Sequence, residues 1–181
     1  MHDYAQILNF WFVEHDKDDW FAGDEAFDRA IAERFADIHR RVAMGEAYEW
    51  RTSADGRLAE IIVLDQFSRQ LHRGEARAFA QDPMALALAQ EAVARGLDQA
   101  FEAQRRMFLY MPYMHSESLV VHEQAMQLFT SLGDPEVLKF EEGHRDVISR
   151  FGRYPFRNEA LGRSSSEEEL AYMKEHADRV F

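Results

Sequence analysis

The amino-acid sequence predicts an all-α protein of about eight helices, and three observations support this fold class. Apolar residues recur at spacings of three and four, which is the period of an amphipathic helix. Proline and glycine mark the boundaries between the periodic segments. No segment alternates between apolar and polar residues in the manner of a half-buried strand. Because a chain of 181 residues fits one domain, we expect residues 1–181 to form a single all-helical domain of stacked antiparallel helix hairpins.

The first half of the chain supplies four of these helices. The first is expected to begin after Asp3 and the second after Asp24, each acting as the N-cap. Their apolar stripes are Tyr4, Ile7, Leu8, Trp11 and Phe12 in the first helix, and Phe27, Ile31, Phe35, Ile38 and Val42 in the second. The third helix covers about 52–70. The fourth begins at Asp82 and Pro83, where Asp82 is expected to cap the helix and proline occupies the first turn.

Four further helices follow in the second half of the chain. The fifth covers about 98–110, and Pro112 is expected to break or kink it because proline lacks the N–H that a helix needs. Ser116 is the expected N-cap of the sixth helix. The last two helices are expected to begin at Asp134 with Pro135, and at a capping box of Ser165 with Glu168.

The longest irregular stretch is residues 152–163, which we call the connector. It belongs to the segment 144–163, which carries five arginines in a chain whose net charge is −12. Eighteen of the 21 basic residues in the chain are arginine. The guanidinium group offers planar, paired donors that match carboxylate and phosphate groups. The segment is therefore either an anion-binding element or a structural latch that ties the connector down.

The composition of the chain argues against several kinds of binding partner and of chemistry. The strongly negative net charge argues against general nucleic-acid binding, which depends on neutralising phosphates. The chain has no cysteine, which excludes disulfides, thiol catalysis and thiolate metal sites, and which is compatible with a reducing cytoplasm. The N-terminus lacks the features of a signal peptide, and no apolar run approaches the length of a membrane span. We therefore expect a cytoplasmic protein that binds neither membrane nor nucleic acid.

Polar residues on predicted apolar faces point to a site. Asp65 lies seven residues after Leu58 on the buried face of the third helix, and Arg69 follows one turn later. Gln66 and Arg73 are nearby. A buried polar group needs a hydrogen-bond partner, so these residues are expected to meet others in the interior.

Two histidines show the same pattern. His144 interrupts the apolar stripe of the seventh helix, although a histidine there is more often a hydrogen-bonded core residue than a ligand or catalyst. His115 and Glu117 follow Pro112 directly, at the expected start of the sixth helix. They either face a cleft between helices, or Ser116 simply caps the helix while Glu117 complements its dipole.

Four stretches of the chain resemble the signature blocks of an uncharacterised bacterial protein family, classified as a domain of unknown function. They are ILNFWF (7–12), IIVLDQFSRQLHRGEARAFAQD (61–82), FLYMPYMHSESL (108–119) and HRDVISRFGRYPFRNEALGR (144–163). The resemblance implies an all-α, TPR-like superhelical fold and implies no activity. Ser68 stands where the family usually has proline, and His122 stands where it usually has glutamine, so we leave His122 out of the predicted site.

The sequence contains no complete motif for a metal site or for nucleophilic catalysis. Glu141 and His144 have the Glu-x-x-His spacing of di-iron bundles, but such a site needs a second copy and two more glutamates. His115, Glu117 and His144 could form only an unsaturated ligand set for one metal ion. No Gly-x-Ser-x-Gly elbow and no phosphate-binding glycine loop is present. We therefore predict no metal or other cofactor.

The leading hypothesis is a protein that binds a small anionic molecule or an acidic peptide. Asp65 and Glu117 would orient the arginines, and the histidines would supply hydrogen bonds or transfer protons. The predicted ligand-binding residues are Asp65, Gln66, Arg69, Arg73, His115, Glu117, His144, Arg150, Arg153, Arg157 and Asn158. Two alternatives are a hydrolytic, metal-assisted enzyme that uses the same cleft and a purely structural interaction module. The apolar first helix could also mediate formation of a homodimer.

Overall fold

The computed structural model describes residues 4–177, and this part of the chain is helical without any strand. The predicted N-cap Asp3 lies outside the described residues. Helices α1 to α10 are Ala5–Asn9, Lys17–Trp20, Glu25–Ala43, Ala54–Ile62, Ser68–Leu71, Asp82–Ala94, Ala103–Met114, Leu119–Ser131, Pro135–Phe151 and Glu167–Glu175. The all-α fold class predicted from the sequence is therefore confirmed.

Two π-helical turns extend the regular helices. Phe10–Glu14 continues α1, and Val63–Phe67 joins α4 to α5 without a break. The third predicted helix is thus one continuous helix over 54–71, and Ser68 does not interrupt it. A π-helical turn accommodates an extra residue and is found frequently at functional sites.

Aromatic residues build the core around the first π-helical turn. Trp11 is fully buried and stacks on Trp20 with ring centroids 5.6 Å apart. The ring of Phe108, from α7, meets the ring of Trp11 edge-on at 5.3 Å, and that of Phe67 lies at 5.7 Å. Each buried aromatic contributes roughly 2 kcal/mol through the apolar area removed from water. The N-terminal helix is therefore part of the main core.

The helices after residue 54 pack in a chain of neighbours. α4 contacts both α6 and α7, α7 packs against α8, and α8 packs against α9. Gly152 ends α9 in the left-handed conformation, with φ of 69°, where glycine carries no steric penalty. The connector then crosses to α10, which packs on the short 3₁₀ turn Pro155–Arg157. Polar side chains of α4 to α9 can therefore meet beneath the connector.

Several predicted boundaries near Pro112 and the connector are wrong. Pro112 is buried inside α7, which continues to Met114, because burial of the surrounding turn outweighs one missing hydrogen bond. The next helix begins after Ser118 and not after Ser116. The capping box of α10 is formed by Ser166 and Glu169, because the Ser165 hydroxyl accepts a hydrogen bond from Asn158.

The fifth helix starts at Ala103, later than predicted, because Leu97–Ala100 forms a 3₁₀ turn that ends at an extended Phe101. Asp82 is the first residue of α6 and does not cap it, because its carboxylate binds two arginines. Within residues 4–177 no helix is long and apolar enough to cross a bilayer.

Candidate functional site

The second π-helical turn carries a fully buried carboxylate. Asp65 has no solvent exposure and lies in a fully buried turn with Val63, Leu64, Gln66 and Phe67. Its Oδ1 accepts a hydrogen bond from His115 Nδ1 at 2.7 Å, and its Oδ2 accepts one from Gln66 Nε2 at 2.6 Å. Arg69 Nη1 lies 3.3 Å from Oδ1. Burial raises the pKa of Asp65, but its interactions with His115 and Gln66 and with the Arg69 cation outweigh burial and bring the pKa to about 2. The carboxylate is therefore ionised at neutral pH.

His115 receives a defined orientation from this carboxylate. It caps the C-terminal end of α7 and is 6% exposed. Burial, together with the charge of Arg69, lowers the pKa of His115, so the imidazole is neutral at neutral pH. Because a carboxylate only accepts hydrogen bonds, the proton of the neutral ring lies on Nδ1 and Nε2 carries a lone pair. Nε2 makes no hydrogen bond to any residue that the structure describes.

Two arginines share the carboxylate of Asp82. Arg69 donates from Nη1 to Oδ1 at 2.9 Å and from Nη2 to Oδ2 at 3.0 Å. Arg157, from the connector, donates from Nη1 to Oδ2 at 3.3 Å. Arg69 also donates to the main-chain oxygen of Asp65 at 2.7 Å. A continuous path of hydrogen bonds thus runs from Arg157 through Asp82, Arg69 and Asp65 to His115.

Arg157 is the unusual member of this network. It is 4% exposed, and its guanidinium lies 4.7 Å from the ring centroid of Phe79 and 4.4 Å from that of Tyr154. Burial and the nearby charge of Arg69 lower its pKa to about 10, so the cation is poorly compensated. Its Nε and Nη2 atoms are buried and have no hydrogen-bond partner among residues 4–177. No other described side chain leaves two donor atoms buried in this way.

The same edge of the guanidinium binds carboxylates elsewhere in the molecule. Three other arginines use their Nε and Nη2 atoms to donate two hydrogen bonds to one carboxylate. They are Arg51, Arg73 and Arg153, and the bonds are 2.6 to 2.8 Å long. Such paired contacts are the strong form of arginine–carboxylate recognition. In Arg157 the corresponding edge faces no carboxylate of the described chain.

A second group of buried polar residues contacts the hydroxyl group of Tyr154. His122 Nδ1 is 2.6 Å from Glu141 Oε1, and its Nε2 is 2.9 Å from the main-chain oxygen of Ser116. Tyr154 Oη contacts His122 Nε2 at 3.1 Å. Burial raises the pKa of Glu141, and Glu141 Oε2 has no partner in the described chain. Glu141 is therefore a buried carboxyl group with one oxygen bonded to His122 and the other without a partner in the described chain.

His144 sits beside the same tyrosine. Its Nδ1 donates to the main-chain oxygen of Phe140 at 2.7 Å, and its ring centroid lies 5.7 Å from that of Tyr154. Burial, with a smaller contribution from the nearby Arg157 cation, lowers the pKa of His144 to about 3, although the hydrogen bond to Phe140 acts in the opposite direction. His144 is therefore a neutral, buried histidine next to the arginine network.

Glu117 holds the connector in place. It accepts two hydrogen bonds from Arg163, at 2.7 and 2.9 Å, and one from the main-chain N–H of Tyr154 at 2.7 Å. Arg163 Nε in turn donates to Asn158 Oδ1 at 2.9 Å. Burial raises the pKa of Glu117, but these donors lower it below its usual value. The contacts fix the residues on both sides of Arg157.

The structure thus brings together part of the predicted site. Asp65, Gln66, Arg69, His115 and Arg157 form one contact network, His144 adjoins it, and Glu117 and Asn158 position the connector. The other three predicted arginines are paired elsewhere. Arg73 binds Asp28, Arg150 binds Glu168, and Arg153 binds Glu169 and the main-chain oxygen of Ser164.

Sequence reasoning left out five residues of this region. They are Phe79, Asp82, His122, Glu141 and Tyr154. Glu141 lies three residues before His144 on a buried helical face, and that spacing was the available signal. Asp82 was assigned to a helix cap, and the family's usual glutamine at position 122 removed His122 from consideration.

Two open grooves on the described part of the chain are lined by other residues and do not contain this network. One groove of about 570 Å³ is lined by Ser53, Asp55, Phe101 and Arg105, and another of about 590 Å³ by His39, His72 and Gln81. The buried network reaches solvent where the side chains of Arg69 and Asp82 are 18% and 14% exposed. We place the candidate site at the network because the two buried, unpartnered donor atoms of Arg157 lie there. No three His, Asp or Glu residues within residues 4–177 converge in a way that could hold a metal ion.

Comparison with other proteins gives the family of the chain. A protein of unknown function from Agrobacterium tumefaciens, ATU0120, has a solved structure that is similar, with 40% sequence identity and a TM-score of 0.91. The similarity covers 95% of this chain and 97% of that one. No curated protein matches the sequence. Residues 7–177 match the family described as "Bacterial protein of unknown function (DUF924)". The chain therefore belongs to the DUF924 family of bacterial proteins.

Proposed function

We propose that the protein binds a small anionic molecule, and that a carboxylate group of this ligand accepts two hydrogen bonds from Nε and Nη2 of Arg157. The observation that carries the proposal is the buried, unpartnered edge of this guanidinium. A buried donor without a partner costs roughly 1–3 kcal/mol, and more when it is charged. A ligand carboxylate would remove that cost and would restore the geometry that three other arginines of the molecule already use.

The charges of the network favour a singly charged group. Arg69 and Arg157 carry two positive charges, and Asp65 and Asp82 carry two negative charges. A phosphate dianion would bring two negative charges into a region whose own charges already cancel. A carboxylate brings a single negative charge, and Nε and Nη2 of Arg157 can donate one hydrogen bond to each of its oxygens. An acidic peptide would have to enter through a single carboxylate, beside the partly exposed Arg69 and Asp82.

The proposal retains two expectations from the sequence. The TPR-like arrangement is supported by the successive packing of α7, α8 and α9, each helix against the next. A cytoplasmic location is supported by the absence of cysteine. In this setting the ligand would be a small molecule of the bacterial cytoplasm.

Catalysis at the same site is the second candidate function. The observation that favours it is the hydrogen bond between Asp65 and His115, which leaves a neutral imidazole with a lone pair on Nε2. A histidine oriented by a carboxylate is the usual form of a general base in hydrolysis. In that case the carboxylate bound by Arg157 would anchor a substrate.

A thermal-shift experiment tests the binding proposal against a purely structural role. The wild type, Arg157→Gln and Arg150→Gln are screened with small carboxylates, inorganic phosphate and sulfate at pH 7.5. Arg150 is the matched control, because it is an exposed arginine that pairs with Glu168. We expect carboxylates to raise the melting temperature of the wild type and of Arg150→Gln, but not of Arg157→Gln. A ligand at a hundredfold excess over its Kd adds about 2.7 kcal/mol of stability. A response that Arg157→Gln leaves unchanged, or no response from any anion, contradicts the proposal.

A further inference from the structure

The groove of about 590 Å³ lies away from the arginine network and has a polar lining of its own. The last two turns of α3 form one wall, and the end of α5 with the following residues 72–81 forms the other. Its polar lining residues are His39, Arg40, His72, Arg77 and Gln81. Small-molecule sites have volumes of about 300–1,000 Å³. The groove is therefore large enough to hold a small molecule.

The charges of the groove favour an anion. Its lining residues within the described chain include two arginines and no aspartate or glutamate, although the net charge of the protein is −12. The side chains of Arg40 and Arg77 are 62% and 68% exposed, and each pairs with an exposed carboxylate, that of Asp37 or Glu75. Exposed ion pairs contribute about 0–1 kcal/mol, so both guanidinium groups can turn to a ligand at little cost. Two positive charges match a dianion.

The buried floor of the groove accepts hydrogen bonds. Ser68 Oγ donates to the main-chain oxygen of Leu64 at 2.6 Å, so it accepts a hydrogen bond from His39 Nε2 at 2.8 Å. Burial lowers the pKa of His39 to about 4, which keeps the ring neutral and leaves a lone pair on Nδ1. Nδ1 makes no hydrogen bond within the described residues and is not fully buried, so it opens to the groove. The ring of His72 stands edge-on to that of His39, with centroids 5.5 Å apart. A flat ring with N–H groups therefore finds an acceptor and an aromatic neighbour here.

We infer that this groove binds a nucleoside monophosphate, whose phosphate contacts Arg40 and Arg77 and whose base donates a hydrogen bond to His39 Nδ1. A phosphate monoester carries close to two negative charges at neutral pH, and adenine, guanine and cytosine each carry an amino group that donates. Leu71 and Met44 supply apolar contacts for the base. A metal ion suits the two histidines less well, because both arginines repel a cation. The inference is independent of the proposed function, since it uses no residue of the Arg157 network.

Ligands that lack one part of the nucleotide test the inference. Isothermal titration calorimetry at pH 7.5 and low salt compares the monophosphates of adenosine, guanosine and cytidine with the three nucleosides and with ribose 5-phosphate. At least one nucleotide is expected to bind about tenfold more tightly than both its nucleoside and ribose 5-phosphate, because it alone satisfies the arginines and the His39 acceptor. Inorganic phosphate lacks the base and is expected to bind weakly. Nucleotides that do not bind, or that bind no more tightly than either partial ligand, overturn the inference and leave the carboxylate proposed for Arg157 untouched.

Arginine variants locate the site. Arg40→Gln and Arg77→Gln each remove one of the two charges and are expected to weaken nucleotide binding by about tenfold. Arg95→Gln is the matched control, since Arg95 is an exposed arginine that pairs with Glu91 outside the groove. Arg157→Gln separates the groove from the arginine network, and both of these variants should keep the wild-type affinity. Because Arg40 and Arg77 are exposed, their variants are expected to fold, which circular dichroism checks. Binding that Arg40→Gln and Arg77→Gln leave unchanged, or that Arg95→Gln weakens equally, contradicts the assignment.

Discussion

At the scale of single residues, Arg157 combines burial with incomplete pairing. Within residues 4–177 its ionic contact is the 3.3 Å hydrogen bond to Asp82, whereas Arg69 binds the same carboxylate with two shorter hydrogen bonds. Replacing Arg157 by an apolar residue of similar length removes the penalty of two buried, unpartnered donors, while Asp82 keeps both hydrogen bonds from Arg69. We therefore expect Arg157→Met to raise the free energy of unfolding by about 1–3 kcal/mol while it abolishes anion binding. Urea denaturation of Arg157→Met and of the surface control Arg150→Met measures this, and a loss of several kcal/mol would show that Arg157 is a structural latch.

Asp65 is expected to behave in the opposite way. Its carboxylate accepts from His115, Gln66 and Arg69, so its removal leaves buried donors unpaired. We expect Asp65→Ala to lower the free energy of unfolding by about 3–5 kcal/mol, as when one partner of a buried charged network is deleted. Chemical denaturation at pH 7.5 provides the measurement. A change below 1 kcal/mol would mean that the network does not hold α5 and α7 together.

At the scale of elements, the π-helical turn and the connector act together. The turn places Asp65 among the buried residues Val63, Leu64 and Phe67, and the connector brings Arg157 to the network from the far end of the chain. Glu117 is the tie between the connector and the helices, through Arg163 and the N–H of Tyr154. The structural latch that the sequence suggested is thus formed by Arg163, while Arg157 keeps a free edge.

Removal of this tie is expected to loosen the connector alone. In Glu117→Ala the Tyr154 amide loses its acceptor, and Arg163 loses its ionic partner. We expect hydrogen exchange in residues 153–164 to accelerate by about tenfold or more, equal to about 1.4 kcal/mol of local stability. Glu123→Ala, an exposed change on α8, is the control. Unchanged exchange in the connector, or equal acceleration throughout the molecule, would contradict this role for Glu117.

At the scale of the whole molecule, buried neutral histidines make stability depend on pH. The folded pKa is about 3 for His144 and about 4 for His39, in both cases chiefly because of burial, against an ordinary value of 6.5. Because the folded values are lower, the unfolded state binds more protons at mildly acidic pH. Stability is therefore complete above about pH 6.5 and decreases as the pH falls toward 4. Each histidine contributes a slope of up to about 1.4 kcal/mol per pH unit.

Denaturation between pH 7 and pH 4.5 tests this dependence. His144→Phe should show a slope that is smaller by roughly 1 kcal/mol per pH unit, because one of the protonating groups is gone. A wild-type stability that does not change over this range would mean that the unfolded state gains no protons there. Below about pH 4, protonation of Asp65, whose pKa is about 2 in the folded protein, is expected to add a further loss.

The sequence by itself determined the all-α fold class and the buried faces on which Asp65 and His144 lie. The fold class and the buried faces are both read from apolar side chains three and four residues apart. Such side chains lie on the same face of a helix, independently of the rest of the chain. Even the boundary errors, at Ser116 and Ser165, were small shifts within the same elements.

Only the tertiary structure decided which polar groups meet. Asp65 and His115 are 50 residues apart, and Arg157 and Asp82 are 75 apart, so their pairing depends on how helices cross and on the path of the connector. Arginines that look equivalent in sequence differ for the same reason, since Arg153 faces Glu169 while one edge of Arg157 faces no carboxylate of the described chain. Local periodicity defines the faces of helices, but the contacts between faces arise from packing over the whole domain.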